Sequence, residues 1–276
     1  MPEAVPAGPG SRPGARRPLV SANWKMHHDH IVALHTVRDL GLRLGEPEAA
    51  VEVSVHPPFT DLRTVQLLIE GEHLPLALGA QHCHSAEEGA FTGEIAAPML
   101  ARLSVRYVIV GHSERRGLFK MDDEQVAATL RAVRRHAMVP ILCVGESAIE
   151  RDAGATEGRL QAQLKVALGA LSAKEMASMV IAYEPIWAIG SGRAATHVDA
   201  SDAAGFIRSL VAAAGGAEAA AGVRIQYGGS VNAENAADFV AEPDIDGLLV
   251  GGASLQAAEF AEIIRAVAGC YRSSAS

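Results

Sequence analysis

Short runs of consecutive apolar residues recur along this chain. Each is followed by a longer stretch whose apolar positions return every three or four residues. The runs predict strands at Pro18–Asn23, Val51–His56, Leu76–Gln81, Tyr107–Gly111, Val139–Val144, Met179–Tyr183, Arg224–Tyr227 and Gly247–Val250. The stretches between them predict helices at Ile31–Leu44, Asp61–Ile69, Asp123–His136, Glu157–Ala170, Ser201–Ala213, Asn235–Val240 and Leu255–Val267, with Val126, Leu130 and Val133 on one helical face. Strands that are apolar at successive positions are buried on both faces, which implies a parallel sheet. Eight alternating units fit a closed (β/α)8 barrel of the α/β class better than an open sheet. No linker-like stretch divides the pattern, so a single domain is expected over residues 18–276. Residues 1–17, rich in Pro, Gly, Ala and Arg, read as a disordered tail without the apolar core of a signal peptide.

Composition narrows the function. Hydrophobic residues make up 49% of the 276, enough for a large core, and aromatics only 4%, as expected where Ala, Val, Leu and Gly pack helices closely on strands. A formal charge of -8 argues against a nucleic-acid binder, while leaving room for a small anion at a locally basic site. No apolar run is long enough for a membrane span. Cys83, Cys143 and Cys270 are odd in number and far apart, with no CxxC, which suggests free thiols in a reducing, cytoplasmic setting.

In a barrel of this kind chemistry belongs at the C-terminal ends of the strands. There the chain carries Asn23-Trp24-Lys25, Gln81, Gly111 through Arg116, Gly145-Glu146, Glu184, Gly228-Gly229-Ser230 and Gly251-Gly252. Pro185 fixes its own φ and keeps Glu184 out of a helix. The apolar Ile186-Trp187-Ala188-Ile189 then leads to Gly190-Ser191-Gly192, so Glu184 reads as a base beneath a lid that excludes water. Lys25 is placed to neutralise an anion, with Asn23 orienting it. His112, before a helix N-terminus, is expected as a neutral imidazole that donates a hydrogen bond. Glu114, Arg115 and Arg116 read as an ion-pair network supporting Lys25 and His112, and Glu146 as a buried partner behind them. The two Gly-Gly exits let backbone amides approach a phosphate. A base, a neutral electrophile, a cation and a phosphate clamp together suggest proton abstraction beside a carbonyl in a phosphorylated substrate. Gly190-Ser191-Gly192-Arg193 has neither dinucleotide nor P-loop spacing. His27-His28-Asp29-His30 and His82-Cys83-His84 hold ligand-type side chains, but at adjacent positions that rarely converge on one ion, so no metal is expected.

Taken in chain order, Asn23-Trp24-Lys25-Met26, Gly79-Ala80-Gln81, Thr92-Gly93-Glu94, Gly111 through Arg116, Cys143 through Glu146, Tyr183 through Gly192, Tyr227 through Val231 and Leu249 through Gly252 resemble the triosephosphate isomerase family. The glutamate base, neutral histidine and closing loop are established for that family. The resemblance implies the TIM-barrel fold and interconversion of dihydroxyacetone phosphate and D-glyceraldehyde 3-phosphate through an enediol, a step of glycolysis and gluconeogenesis, without a cofactor. It implies Glu184 as the proton shuttle, His112 as the carbonyl's electrophile, and Lys25 with Asn23 stabilising the oxyanion. It assigns phosphate to Gly190, Ser230, Gly251 and Gly252, with Ser113 and Glu114 in support. It also implies a homodimer in which Thr92 of one subunit braces Asn23 and Lys25 of the other. The chain departs from the family pattern at Ala22, His27, His82, Lys120-Met121 and Gln226. The glutamate expected in place of Met121 belongs to a buried polar network, for whose loss Gln226 is a candidate compensation. Two alternatives remain at this point: an isomerase of a phosphorylated four-carbon ketose, and a non-catalytic sugar-phosphate-binding barrel.

Overall fold

The computed structural model describes residues 16–45, 48, 50–189 and 195–273, with backbone only for 272 and 273. Most of the tail, and Gly190-Ser191-Gly192 of the expected lid, lie outside the described residues. Among the described residues the elements run β1 (Leu19–Asn23), α1 (His30–Arg43), β2 (Glu52–His56), α2 (Leu62–Gly71), β3 (Ala77–Ala80), α3 (Ala97–Ala101), β4 (Tyr107–Val110), α4 (Ser113–Leu118), α5 (Asp123–Arg135) and β5 (Val139–Val144). They continue with α6 (Ala148–Asp152), α7 (Thr156–Leu168), α8 (Ala173–Ala177), β6 (Val180–Tyr183), α9 (His197–Gly222), β7 (Arg224–Tyr227), α10 (Ala236–Ala241), β8 (Gly247–Val250) and α11 (Ala257–Ser273). All eight strands are parallel and close on themselves in sequence order, β1 pairing with both β2 and β8. This is the expected (β/α)8 barrel.

Two apolar layers hold it. Outward-facing strand residues such as Val20, Val53, Val55, Val108 and Ile181 share one buried cluster with the inner faces of the helices, among them Val37, Leu130, Ile207 and Ile264. Inside the barrel Leu19, Tyr107, Ile109, Ile141, Cys143, Val180, Ala182 and Leu249 form a separate cluster. Helix starts follow side-chain chemistry. Asp29 accepts from the Ile31 and Val32 amides, and Asp122 with Gln125, Ser147 with Glu150, Ser172 with Glu175 and Thr196 with Asp199 close reciprocal capping boxes.

The differences from expectation have physical reasons. Helices α3, α4, α6 and α8 span five or six residues each, a length that carries little helical periodicity in sequence. Segment α9 runs well beyond Ser201–Ala213 but is two helical pieces, broken where Gly216 takes φ 80°. Strand β3 ends at Ala80, so Gln81 sits beyond it. Arg16 and Arg17, counted with the tail from sequence, are tied to the barrel. Arg16 Nε donates to Asp246 Oδ1 at 2.6 Å and Arg17 Nη2 donates to the Val51 carbonyl.

Candidate active site

Glu184 leaves β6 with its amide donating to the Val144 carbonyl of β5 at 2.8 Å, which seats the residue against the neighbouring strand exit. That seat requires glycine beside it: a Cβ on Gly145 would come within 1.8 Å of the Glu184 carbonyl oxygen. The carboxylate is 2% exposed. Its Oε1 accepts from His112 Nε2 at 2.9 Å and its Oε2 from the Ser113 amide at 2.9 Å.

His112 caps α4, and its Nδ1 accepts from the Glu114 amide at 3.2 Å. A nitrogen that accepts an N–H carries no proton, so this geometry belongs to the neutral ring with its proton on Nε2, aimed at Glu184. Burial pulls the His112 pKa down, but the Glu184 carboxylate beside it outweighs burial and leaves it raised. Glu184 mirrors this. Burial favours its neutral form, yet His112 and the Ser113 amide prevail and leave its pKa lowered. A substrate that separates the two removes the carboxylate's support for imidazolium, leaving the Glu114 amide to favour the neutral ring.

Lys25 sits in the left-handed region, φ 52°, where a side-chain-bearing residue is strained. Three groups hold it. Its amide donates to Asn23 Oδ1 at 3.1 Å, its Nζ donates to Glu114 Oε1 at 2.7 Å, and its carbonyl accepts from Gln81 Nε2 at 2.7 Å. Gln81 Nε2 also reaches the His56 carbonyl at 2.9 Å. Sequence reading noted Gln81 at a strand exit without assigning it this clamp, because a glutamine there carries no chemistry of its own.

Asn23, Lys25, His112 and Glu184 line one cavity of about 250 Å³ at the C-terminal mouth of the barrel. The rest of its lining is rich in glycine: Gly228, Gly229, Ser230, Gly251 and Gly252. Gly252–Leu255 is a 3-10 turn tied to the Lys25 side of the site by Trp24 Nε1, which donates to the Ser254 carbonyl at 3.1 Å. Behind Glu184, the fully buried Glu146 accepts from Tyr183 OH at 3.0 Å and Trp187 Nε1 at 2.7 Å, anchoring the 3-10 turn Ile186–Ala188.

The structure thus brings together Asn23, Lys25, His112, Glu184, Ser230, Gly251 and Gly252, with Ser113 and Glu114 directly behind. Thr92 is exposed and outside the cavity lining, and Gly190 lies outside the described residues. Met121 is half-buried against the core, while His82 Nδ1 and Arg115 Nε are buried without hydrogen-bond partners. Gln226 does not compensate for Met121: it lies inside the barrel, its Nε2 donating to the Leu19 and Leu248 carbonyls. Among the described residues no three His, Cys, Asp or Glu side chains gather as a metal site.

Fold and site together define a barrel enzyme of the proton-transferring isomerase class, with a buried carboxylate and an imidazole in one cavity with a lysine and a glycine-rich turn. The sequence model of the family described as triosephosphate isomerase matches residues 18–267. A triosephosphate isomerase of Nocardia farcinica is 47% identical over 256 residues, covering 92% of this chain and 98% of the relative. Those of Leifsonia xyli and Corynebacterium efficiens are 49% and 48% identical, each covering 91% of this chain and 97% and 96% of the relative. The chain belongs to the triosephosphate isomerase family.

Proposed function

We propose that this chain interconverts dihydroxyacetone phosphate and D-glyceraldehyde 3-phosphate, with Glu184 and His112 moving the protons. The observation that carries the reading is the meeting of Glu184, His112 and Lys25 beside a glycine-rich anion site in one closed-end cavity. With the ketose bound, the Glu184 carboxylate removes a proton from C1. His112 donates its Nε2 proton to the C2 oxygen, and the C1=C2 double bond forms. His112 then takes the proton from the C1 hydroxyl, and Glu184 returns its proton to C2, giving the aldehyde at C1 and the hydroxyl at C2. Lys25 Nζ stabilises negative charge on the oxygens as it develops, and Asn23 sets the Lys25 backbone. The amides of Gly251 and Gly252, the Ser230 side of the mouth and, once the lid closes, Gly190 hold the phosphate.

The same reading includes a homodimer. Met26 is 93% exposed beside Lys25, Phe91 stacks on His84, and Phe119 lies under the Arg115 guanidinium while still 65% exposed. Glu94, His82 and Arg115 link Phe91 and Phe119 into one neighbourhood. Apolar surface beside buried, unpartnered donors supports a covering subunit, whose exposed Thr92 would reach the Lys25 loop. Cys83 and Cys143 are buried free thiols, which supports a cytoplasmic setting, and no helix among the described residues is long and apolar enough to cross a membrane.

A coupled assay with D-glyceraldehyde 3-phosphate, run over a protein dilution series, tests both parts. Turnover with constant specific activity supports the isomerase and a tight assembly. Activity that decays on dilution supports the isomerase with a weak dimer. A folded protein inactive at every concentration overturns the proposal.

A further inference from the structure

The barrel interior is not apolar throughout. Opposite the cluster built on β4, β5 and β6, the side of β7, β1 and β2 carries Gln226, Ser21, Ser54 and His56, each fully buried. They touch in order. Gln226 Nε2 donates to Ser21 Oγ at 2.9 Å, the Ser21 and Ser54 hydroxyls are 2.9 Å apart, and Ser54 Oγ is 3.0 Å from His56 Nε2. The other ring nitrogen, His56 Nδ1, is 3.2 Å from the Ala80 carbonyl oxygen.

Proton counting fixes the direction of this chain. A carbonyl only accepts, so Nδ1 carries the proton and Nε2 of the neutral ring accepts from Ser54. The single Ser54 hydroxyl proton is then used, so Ser21 donates to Ser54 and is free to accept from Gln226, whose two amide hydrogens are shared among Ser21 Oγ and the Leu19 and Leu248 carbonyls. Burial without a carboxylate partner keeps the ring neutral, its pKa lowered to about 4.

The ring also lies beside one of the short ladders of the sheet. The ladder between β2 and β3 ends at Val55 and Leu78, and beyond it the His56 ring reaches across to Ala80. Gly79 makes room for that crossing: a Cβ there would come within 2.2 Å of the ring. Ala80 is bonded directly to Gln81, whose amide clamps both the strained Lys25 carbonyl and the carbonyl of His56 itself.

We infer that His56 is a positioning residue for the isomerase reaction, its Nδ1–H bond to Ala80 fixing the Gln81 clamp that holds Lys25 in its left-handed conformation. This rests on Lys25 serving the reaction proposed above. The polar chain from Gln226 keeps the ring in the one tautomer and orientation that serve the clamp.

Two substitutions separate positioning from packing. His56→Leu fills most of the ring's volume without a donor. His56→Asn keeps a donor near the Nδ1 position and leaves volume empty. The expected result, in the isomerase assay on the full-length protein, is a fall of at least tenfold in kcat/KM for His56→Leu with a raised KM, and less than threefold for His56→Asn. A variant that merely lowers the folded fraction reduces apparent kcat and leaves KM alone. Equal activities in the two variants, Leu outperforming Asn, or a loss confined to kcat overturns the inference. Nitrogen-15 NMR of the wild-type imidazole supplies an independent readout: an Nδ1-protonated neutral ring at pH 7 is expected, and an Nε2-protonated one refutes it. Should neither variant fold, Ser54→Ala carries the kinetic test, with a raised KM and an altered imidazole signal expected and wild-type values of both overturning the inference. Wild-type activity is the control throughout. An inactive wild type refutes the proposed reaction, whereas an active wild type matched by His56→Leu refutes only the role of His56.

Discussion

Glu184 is a carboxylate buried beside an imidazole, held from both oxygens, and its reach sets the chemistry. Glu184→Asp withdraws the carboxylate by one methylene while preserving its charge. A base displaced by about 1 Å costs on the order of 100-fold in rate. We therefore expect kcat to fall by about 100-fold with KM within about threefold of wild type, read from steady-state kinetics; undiminished kcat would remove Glu184 as the base. The pair also has a defined pH signature. Glu184 has a lowered pKa, so its stabilisation is present above the ordinary carboxylate value of 4.5 and is lost as pH falls through the folded value. His112 has a raised pKa, so its contribution is complete below the ordinary 6.5 and is lost as pH rises through the folded value. Both are fully present only between about pH 4.5 and 6.5. The difference in Tm between wild type and His112→Gln should be largest in that window and shrink on either side, and a difference independent of pH would show that the pair does not ionise as described.

At the scale of elements, the exits of β5 and β6 work as one unit, because Glu146 of one holds Tyr183 and Trp187 of the other. Glu146→Leu removes the carboxylate that accepts from two buried donors, at about 1–3 kcal/mol for each lost bond. With roughly 2–4 °C of Tm per kcal/mol in a chain of this size, the loss should exceed about 5 °C. It should bring a several-fold fall in kcat, as the lid's first turn loses its anchor. Glu146→Gln retains a carbonyl acceptor and should stay within about 3 °C of wild type by thermal unfolding. Equal Tm values for the two variants would dismiss the anchor. This coupling shows where sequence reading ends. The strands were legible because each is a short, mostly apolar run, and the site because Asn23, Lys25, His112, Glu184 and the glycine pairs sit at or just beyond the ends of such runs. Helix α4 was not legible, since its six residues SERRGL hold one large apolar side chain, nor was the bond from the Glu114 amide that assigns the His112 tautomer. Ser21, Ser54 and Gln226 pass in sequence for minor interruptions of apolar strands. Only closure of the barrel brings those alternate positions of β1, β2 and β7 together inside it.

For the whole molecule, a polar seam inside the barrel makes acid stability depend on a buried histidine remote from the surface. His56 has a pKa lowered to about 4 by complete burial, against an ordinary 6.5 in the unfolded chain. Between those values the unfolded state binds a proton that the folded state does not, so stability falls as pH falls from about 6.5 towards 4. The contribution is about 2 kcal/mol by pH 5, relative to pH 8. His82, lowered to about 3 by burial, acts in the same direction, and its dependence persists in any variant of His56. Urea unfolding at fixed protein concentration, compared between pH 8 and pH 5, should therefore show a loss that is smaller by about 2 kcal/mol in His56→Leu than in wild type. Fixed concentration matters because unfolding of the proposed dimer would include dissociation, and the wild-type–variant difference isolates the proton taken up by His56 from carboxylate titrations common to both proteins. Parallel loss in the two proteins would mean that the folded barrel admits a charged His56, most simply by drawing water or an anion into the Gln226–Ser21–Ser54 seam. A charged ring donates from both nitrogens, so Ser54 would then accept from Nε2 and the proton order deduced along that seam would be reversed.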